Sequence, residues 1–321
     1  MAELTIHDPQ FTLLTVTWSR DKPHFSLLRQ SLAQSRFAHI PHHVVVHHED
    51  LALFREFPDI ILHSTADILP PKVEQRRREA LVWQSRLGRR GTVVSGSLTR
   101  YTGWPRWVRY TGWHTQQLSK LAFAVRSPTE TLVVLDSDVI VTPQAEAADF
   151  ISPGKILCYE HWQPLSSLSH KVQHWQSTAH RLFGQRFPSG AQCDVYYDTP
   201  FVLHTSAVRD LLDWLAHHHD SHWWEVLLRL PPRQWSEFGI YKQYLRTRTS
   251  LPLEWRPADC MAYLFDVSDH RHLVEQVSQL LHQPNCHYVT IHSQSSGRQL
   301  WTAEAYRDTV SRCLSRTAAH P

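Results

Sequence analysis

The stretch that most constrains the fold runs over residues 131–143, where a short apolar strand ends in two carboxylates. The aliphatic run before the acids predicts a buried parallel strand. Asp136 and Asp138 follow this run, with only Ser137 between them. Because ligands of open α/β sheets bind beyond the carboxyl ends of the strands, we expect both acids to lie in a site rather than on a solvated face.

Two carboxylates at this spacing can hold one hard divalent cation, Mg²⁺ or Mn²⁺. Such a cation binds phosphate oxygens and offsets the charge of a departing diphosphate, which is the chemistry that the use of a nucleotide-sugar requires. An ordinary turn is the alternative interpretation, because Asp and Ser satisfy backbone groups there and Pro143 would end the element. The three-residue motif alone leaves both interpretations open.

Composition indicates a globular protein. The chain has 321 residues, of which 42% are hydrophobic and 20% charged, so it can form one large α/β domain or two small ones. The first residues lack the basic-then-apolar form of a signal peptide, and no apolar run approaches the ~20 residues of a membrane span. We therefore expect a cytoplasmic location.

The charge pattern has one notable segment. A net charge of +3 is too weak to indicate nucleic acid as a partner. Arginines cluster in residues 76–90, however. This segment predicts either a solvated helix face or a contact with an anionic acceptor or with the inner face of the membrane.

The metal-binding residue types outside the acidic motif do not predict a structural metal site. The five cysteines are odd in number and contain no Cys-x-x-Cys pair. The 24 histidines include several consecutive ones. Consecutive histidines point in different directions on a strand or helix and rarely share an ion.

The opening of the chain predicts a strand–loop–helix unit. Residues 11–18 form the strand, and the loop after it contains Ser19, Arg20 and Asp21, with Asp21 as a predicted helix cap. Hydroxyls, an arginine and a helix N-terminus beyond a strand suit the diphosphate or ribose of a nucleotide, whereas simple capping is the alternative. Further short apolar strands follow at residues 44–46 and 60–62, which favours a Rossmann-like sheet.

Two nucleotide-binding classes are disfavoured, because the sequence has neither a Gly-x-Gly-x-x-Gly loop nor a Gly-Lys-Ser/Thr loop. Residues 71–112 carry the arginine cluster and a near-duplication, Arg-Tyr-Thr-Gly-Trp at 100–104 and 109–113. We interpret this stretch as a long functional or lid-like insertion. Residues 113–124 then predict a helix, on which Gln117 and Lys120 can face the same ligand or form the solvent face.

Three segments together resemble the GT-A class of metal-dependent glycosyltransferases, in particular bacterial members of capsule, O-antigen or lipopolysaccharide biosynthesis. They are the opening strand with Ser-Arg-Asp-Lys at 19–22, Gly-Trp-x-x-Gln-Gln-x-x-Lys-Leu at 112–121, and Leu-Asp-Ser-Asp with a later proline at 135–143. The resemblance covers about residues 11–300. It implies a Rossmann-like mixed sheet, mainly parallel and flanked by helices.

The resemblance also implies roles for individual residues. Asp136 and Asp138 would bind Mn²⁺ or Mg²⁺, and His292 would be a third metal ligand, although a lone histidine is more often structural. The implied contacts of the nucleotide-sugar are Thr17, Ser19, Arg20, Asp21, Gln117, Lys120, Asp136 and Ser137. Residues 198–204 resemble the strand that passes under the donor sugar.

A Ser-Glu-aromatic motif at 236–238 resembles one near the acceptor site. Glu237 suits a general base that deprotonates the acceptor hydroxyl. Alternatively, Ser236 caps a helix and Glu237 stabilises its first turn without any catalysis.

The sequence thus predicts a single domain over residues 1–321 that moves a hexosyl or related sugar from a nucleotide-sugar to a hydroxyl of a glycan or lipid-linked acceptor. Its parts are a nucleotide-binding half at 11–142 with the insertion at about 71–112, an acceptor-binding half at 143–300, and a C-terminal helix and tail at 301–321. Two alternatives remain open. One is a haloacid-dehalogenase-like phosphatase that uses Asp136 and Asp138, and the other is a non-catalytic sugar-binding module on the same fold.

Overall fold

The computed structural model of the protein describes residues 10–98, 112–187, 192–264, 269–292 and 303–318. The strands, in chain order, are β1 (Phe11–Thr17), β2 (His42–Val46), β3 (Ile61–Ser64), β4 (Thr131–Val134), β5 (Val139–Val141), β6 (Ile156–Glu160), β7 (Trp162–Pro164), β8 (Gln192–Asp194), β9 (Phe201–His204), β10 (Leu253–Pro257), β11 (Met261–Leu264) and β12 (Tyr288–Ile291). The helices are α1 (Lys22–Ala33), α2 (Leu51–Phe54), α3 (Thr65–Ile68), α4 (Pro71–Leu98), α5 (Gly112–Ala124), α6 (His170–Leu182), α7 (Thr205–His218), α8 (Trp223–Arg229), α9 (Glu237–Thr247), α10 (His270–Leu281) and α11 (Ala303–Ala318).

A five-stranded sheet with the order β3-β2-β1-β4-β9 forms the centre of the fold. Its first four strands are parallel, and β9 runs antiparallel to β4. Every residue of β1 and β2 is buried, as expected for strands that are covered by helices on both faces. The predicted α/β class and the mainly parallel mixed sheet are therefore confirmed.

The direction of the chain through this sheet reverses beside β1. The chain moves from β1 to β2 and β3 on one side, and it returns to β4 on the other side. The carboxyl ends of β1 and β4 therefore form a topological switch point, where ligands of open α/β sheets bind. Asp136 and Asp138 follow β4 at this point.

Three smaller sheets extend the fold beyond the central sheet. The strands β11, β12 and β5 form one small sheet, and the pairs β10–β6 and β7–β8 form two more. The end of β12 lies next to the acidic motif, because the Ile291 amide donates a hydrogen bond of 3.0 Å to the Asp138 carbonyl. In this way β12 carries His292 to the switch point.

The predicted C-terminal helix is α11, which packs against α1 and α10. It contributes the buried side chains of Tyr306, Val310 and Leu314 to a second hydrophobic cluster. The phenol of Tyr306 lies 2.6 Å from Nδ1 of His24 on α1. This contact ties the end of the described chain to the first helix.

Residues 71–98 of the predicted insertion form the helix α4, which is interrupted at Gly88, where φ is 55°. At Gly91 the backbone approaches the Trp83 carbonyl so closely that a Cβ atom has no room. The rest of the predicted lid, together with most of the near-duplication, lies outside the described residues. In the part of the chain that the structure describes, no helix combines the length and the apolar character that crossing a bilayer requires.

The arginine segment on α4 is not a uniformly solvated face. The side chains of Arg76 and Arg77 are only 2% and 3% exposed. Arg77 binds Glu74 at 2.7 Å and Glu49 at 2.9 Å, so its charge is neutralised inside the fold. The prediction of a solvated or partner-facing surface is therefore wrong for these two arginines, because acids of α4 and of the turn after β2 lie against them.

Candidate active site

The acidic motif is fixed to both neighbouring strands. The Asp136 amide donates to Thr199 Oγ1 at 3.2 Å, just before β9, and Ser137 Oγ donates to Thr17 Oγ1 at 2.7 Å, at the end of β1. The Asp136 side chain is 32% exposed, and Asp138 is also partly exposed. The hydroxyl groups of Thr199 and Thr17 hold the turn, while its two carboxylates stay partly exposed.

Lys120 lies behind this motif as a buried cation. Its Nζ is 3.0 Å from Asp136 Oδ1 and 3.3 Å from Glu237 Oε1, and its side chain is 2% exposed. Burial opposes the charge of Lys120, but the carboxylates of Asp136 and Glu237 outweigh this effect and raise its pKa. The ammonium group thus keeps its charge in an ion triad that joins α5, the end of β4 and α9.

The two glutamines of α5 have different partners. Gln116 Nε2 donates to Asp136 Oδ1 at 3.4 Å. Gln117 Oε1 accepts the backbone amide of Glu237 at 2.9 Å, so it satisfies the first turn of α9. Ser236 occupies the N-cap position and Glu237 the first turn, as one of the two interpretations predicted, but the Ser236 side chain accepts no backbone amide of the helix. Its Oγ donates to Glu237 Oε2 at 3.4 Å instead, and a glutamine 120 residues away supplies the acceptor for the helix end.

Glu237 is buried, with 1% of its side chain exposed. Burial raises its pKa, Lys120 lowers it, and the nearby charge of Asp136 raises it again. A general base has to reach the proton that it abstracts. In this geometry the Glu237 carboxylate instead binds Lys120, which favours a positioning role.

Asp198 is the site residue that sequence reasoning missed. Its Oδ1 lies 3.7 Å from His292 Nε2, and Asp198 is partly exposed. Partial burial raises its pKa, and the charges of Asp136 and Asp138 act in the same direction, while His292 and Lys171 oppose them. The sequence feature that could have indicated Asp198 is an acid that precedes a buried strand beside β4.

The charged side chains at the switch point act on one another, and the group of Asp136, Asp138, Asp198 and His292 is here named the carboxylate cleft. Carboxylate oxygens and an imidazole nitrogen are ligand types that Mn²⁺ or Mg²⁺ accepts. Among the described residues, three ligand atoms that all lie within 4.8 Å of one another occur in a different group, so these side chains would have to draw closer together to hold a cation. Burial raises the pKa of Asp198 and the charges of Asp136 and Asp138 add to this effect, so a bound cation would offset part of the repulsion.

The loop after β1 borders the same edge of the sheet. The Ser19 amide donates to Asp50 Oδ2 at 2.9 Å, and the exposed guanidinium of Arg20 lies 5.1 Å from the centre of the Trp18 ring. Asp21 does not cap α1 with its side chain, contrary to the prediction. Its carboxylate instead accepts from Trp18 Nε1 at 2.6 Å.

A second group of metal-ligand type lies elsewhere in the described chain. Ligand atoms of Asp149, Cys260 and His287 all lie within 4.8 Å of one another. The Asp149 carboxylate, however, accepts from Tyr288 at 2.8 Å and from the Glu146 amide at 3.0 Å, and it lies 2.9 Å from His287 Nδ1. These contacts explain the cluster as a structural hydrogen-bond network.

Comparisons with known proteins give one family and several distant structural similarities. The sequence pattern of a family of unknown function, DUF6492, matches residues 14–282. No curated protein matches the sequence. The chain is similar to the galactosyltransferase LgtC in complex with donor and acceptor sugar analogs, with a TM-score of 0.41 and 8% identity over 94% of this chain and 95% of that chain.

Two further structures are similar at the same level. The bifunctional glycosyltransferase WbbM has a TM-score of 0.47 and 8% identity over 97% of this chain, which spans 51% of the WbbM chain. Mouse xyloside xylosyltransferase 1 has a TM-score of 0.40 and 15% identity, with 87% of this chain and 97% of that chain covered.

Proposed function

The chain belongs to the family of unknown function DUF6492, and we propose that it is a metal-dependent glycosyltransferase of the GT-A type. It would transfer a hexosyl or related sugar from a nucleotide-sugar to a hydroxyl of a glycan or lipid-linked acceptor. One observation carries the proposal. The carboxylate cleft lies at the switch point of a mainly parallel sheet, where it can take a cation and the phosphates of a nucleotide.

The proposed metal ligands are Asp136, Asp138 and His292, with Asp198 beside them. When bound there, Mn²⁺ or Mg²⁺ would neutralise charge on the leaving diphosphate. Lys120 and Gln116 both contact Asp136 Oδ1, so they orient this carboxylate before any ligand arrives. The hydrogen bond from Ser137 to Thr17 holds the motif against β1.

The loop after β1 is the proposed binding surface for the nucleotide. Arg20 presents an exposed guanidinium that can pair with phosphate oxygens. Trp18 offers an aromatic ring, and its indole N–H is already bonded to Asp21. Because Ser19 is anchored through its amide to Asp50, the loop is held in place at the carboxyl end of the sheet.

Two carboxylates compete for the role of general base. Glu237 would need to leave Lys120 before it could reach an acceptor hydroxyl. The Asp198 side chain is 34% exposed, whereas that of Glu237 is 1% exposed, so Asp198 can reach an acceptor hydroxyl without leaving a buried ion pair. We therefore assign proton acceptance to Asp198 and a positioning role to Glu237.

A peripheral contact with the inner membrane face, in the setting of bacterial surface polysaccharide synthesis, is also part of the proposal. It rests on exposed apolar side chains of α4, among them Val82 and Leu87, each 48% exposed. Arg86 and Arg90 are exposed on the same helix. Basic and apolar side chains together suit an anionic lipid surface.

The central test is a thermal-shift screen of UDP, GDP, CMP and their sugars, each with and without Mn²⁺. A ligand of the native state raises the midpoint of unfolding, so the proposal expects a Mn²⁺-dependent rise with one nucleotide. Asp138→Asn should abolish this rise. Asp213→Asn, a matched change at an exposed position on α7, should retain it.

Two results would overturn the proposal. One is the absence of a shift with every nucleotide tested. The other is a shift that Asp138→Asn leaves unchanged. Stabilisation by Mg²⁺ with beryllofluoride instead of a nucleotide would favour the phosphatase alternative.

A further inference from the structure

A cavity of about 160 Å³ lies beside α9. It is here named the Trp162 pocket, and its lining includes Trp162, Gln176, Gln192, Tyr197, Gln243 and Arg246. Gly239, Gln243 and Arg246 recur at i, i+4 and i+7, so one face of α9 forms a wall. The cavity is smaller than the roughly 300–1,000 Å³ of pockets for drug-sized ligands, so it suits one small ring.

The charges around the Trp162 pocket are already paired. Arg246 binds Glu160 at 3.0 Å and Asp194 at 2.9 Å. Lys242 forms an ion pair with Asp194 as well, and its Nζ donates to the Tyr159 carbonyl at 2.8 Å. Two cations therefore face two carboxylates, and the pocket offers no excess positive charge to a phosphate or carboxylate ligand.

The remaining groups of the pocket recognise a neutral ring. The indole of Trp162 is 47% exposed, and it lies on the edge strand β7 with Arg246 4.9 Å from its ring centre. Its exposed surface can pack against the apolar C–H face of a sugar ring. The exposed amide of Gln192 supplies a donor and an acceptor for ring hydroxyls. The Nε2 groups of Gln176 and Gln243 already donate to the Asp194 carbonyl and to Gln185 Oε1, so these two amides add the hydrogen-bonding capacity that remains.

Gly239 shapes this pocket by admitting an aromatic side chain. A Cβ atom at Gly239 would lie 3.1 Å from Cε1 of Tyr197, so a larger residue would displace the Tyr197 ring. Tyr197 also packs edge-on against Trp175, at 5.6 Å between ring centres. The ring is thus held from two sides as a wall of the pocket.

The Trp162 pocket lies next to the carboxylate cleft along the chain. Tyr197 lines the pocket, and the next residue is Asp198, which lies in the cleft. Because consecutive Cα atoms are about 3.8 Å apart, a substrate that occupies both sites has to span only the side chains of two neighbouring residues.

We infer that the Trp162 pocket binds a neutral sugar ring of the acceptor, next to the sugar that carries the reacting hydroxyl. That the bound sugar belongs to an acceptor rests on the proposed glycosyltransferase function. Binding of the sugar itself does not depend on that function. The pocket would make the enzyme select a glycan acceptor of at least two sugars over a single sugar.

Saturation-transfer NMR on the full chain, without nucleotide or metal, tests the inference directly. The probes are neutral methyl glycosides and their β-linked disaccharides, with glucuronate and glucose 6-phosphate as charged counterparts. We expect ring-proton signals for neutral sugars, with at least one disaccharide bound more tightly than its single sugars. Trp162→Ala should weaken binding about tenfold, which corresponds to about 1.4 kcal/mol, and Trp162→Phe should restore most of it.

The outcomes separate this inference from the proposed function. If the nucleotide shift is absent but neutral sugars bind through Trp162, the pocket stands and the transferase proposal fails. If neutral sugars give no signal at millimolar concentration, or if Trp162→Ala leaves binding unchanged, the pocket inference fails. Tighter binding of the charged sugars would also overturn it, because it would contradict the neutral charge balance of the pocket.

Discussion

Nζ of Lys120 lies 3.0 Å from Oδ1 of Asp136, and the lysine is almost completely buried. A buried cation beside the first acid of the motif means that the orientation of this carboxylate is set by the protein before any ligand binds. Lys120 belongs to a helix that precedes the strand, so the ion pair joins two elements across the floor of the cleft.

Lys120→Met should destabilise the fold strongly, because it leaves the buried carboxylate of Glu237 and the partly exposed carboxylate of Asp136 without their cation. Loss of one partner of a buried pair costs about 3–5 kcal/mol, measured as the free energy of unfolding in urea. The exposed Lys155→Met is the matched control and should change it by less than about 0.5 kcal/mol. Adding Glu237→Gln to Lys120→Met should recover part of the loss, and equal stability of the two single lysine variants would contradict the ion triad.

Asp198→Asn and Glu237→Gln should differ in their effect on sugar transfer. Replacing a general base lowers kcat by about 10²- to 10⁴-fold. We therefore expect the kcat of Asp198→Asn to fall by a factor in that range and its pH profile to lose the acidic limb. Glu237→Gln should retain that limb, since its carboxylate holds Lys120 instead of touching the acceptor. The measurement is kcat against pH with the donor identified by thermal shift. If only Glu237→Gln lost the acidic limb, the general base would be Glu237 instead of Asp198.

His43 makes stability depend on pH in the acidic range. Burial lowers its pKa from 6.5 to about 4, and the neighbouring His63, whose Nε2 lies 2.8 Å from His43 Nδ1, acts in the same direction. Between these values the unfolded chain binds the proton and the folded chain does not, so stability falls as the pH is lowered from about 6.5 to about 4. One such group contributes a slope of up to about 1.4 kcal/mol per pH unit.

His43→Gln should therefore reduce the slope of the unfolding free energy against pH, measured in urea between pH 7.5 and 4.5. The exposed His217→Gln is the control and should keep the wild-type slope. Equal slopes in all three proteins would show that His43 is protonated as easily in the folded state as in the unfolded one.

Contact with an anionic membrane should depend on the exposed apolar side chains of α4. Val82→Glu together with Leu87→Glu should abolish sedimentation with vesicles that contain phosphatidylglycerol, because both residues are about half exposed and a carboxylate repels such lipids. Leu53→Glu, at a residue 45% exposed on α2, is the matched control. Unchanged binding of the α4 double variant, or wild-type protein that stays in the supernatant, would remove membrane contact from the proposal.

Local sequence patterns determined the main elements. The apolar runs before Thr17 and Asp136 are strands of the central sheet, and the acidic motif follows β4 where the pattern predicted. The helix predicted after the first loop and the predicted C-terminal helix are likewise present, as α1 and α11. These features are accessible from sequence because the period of buried residues depends on neighbours within a few positions.

The tertiary structure alone decided which side chains meet. Asp136 bonds to Thr199 across 63 positions, and Gln117 caps the helix of Glu237 across 120. The ion pair of Arg77 on α4 with Glu49, which lies after β2, belongs to the same class. Such contacts follow from the strand order β3-β2-β1-β4-β9, which brings distant segments to one edge of the sheet. Local periodicity is set by the chain itself, whereas the partners of a polar side chain are set by packing between elements, and no short stretch of sequence encodes that.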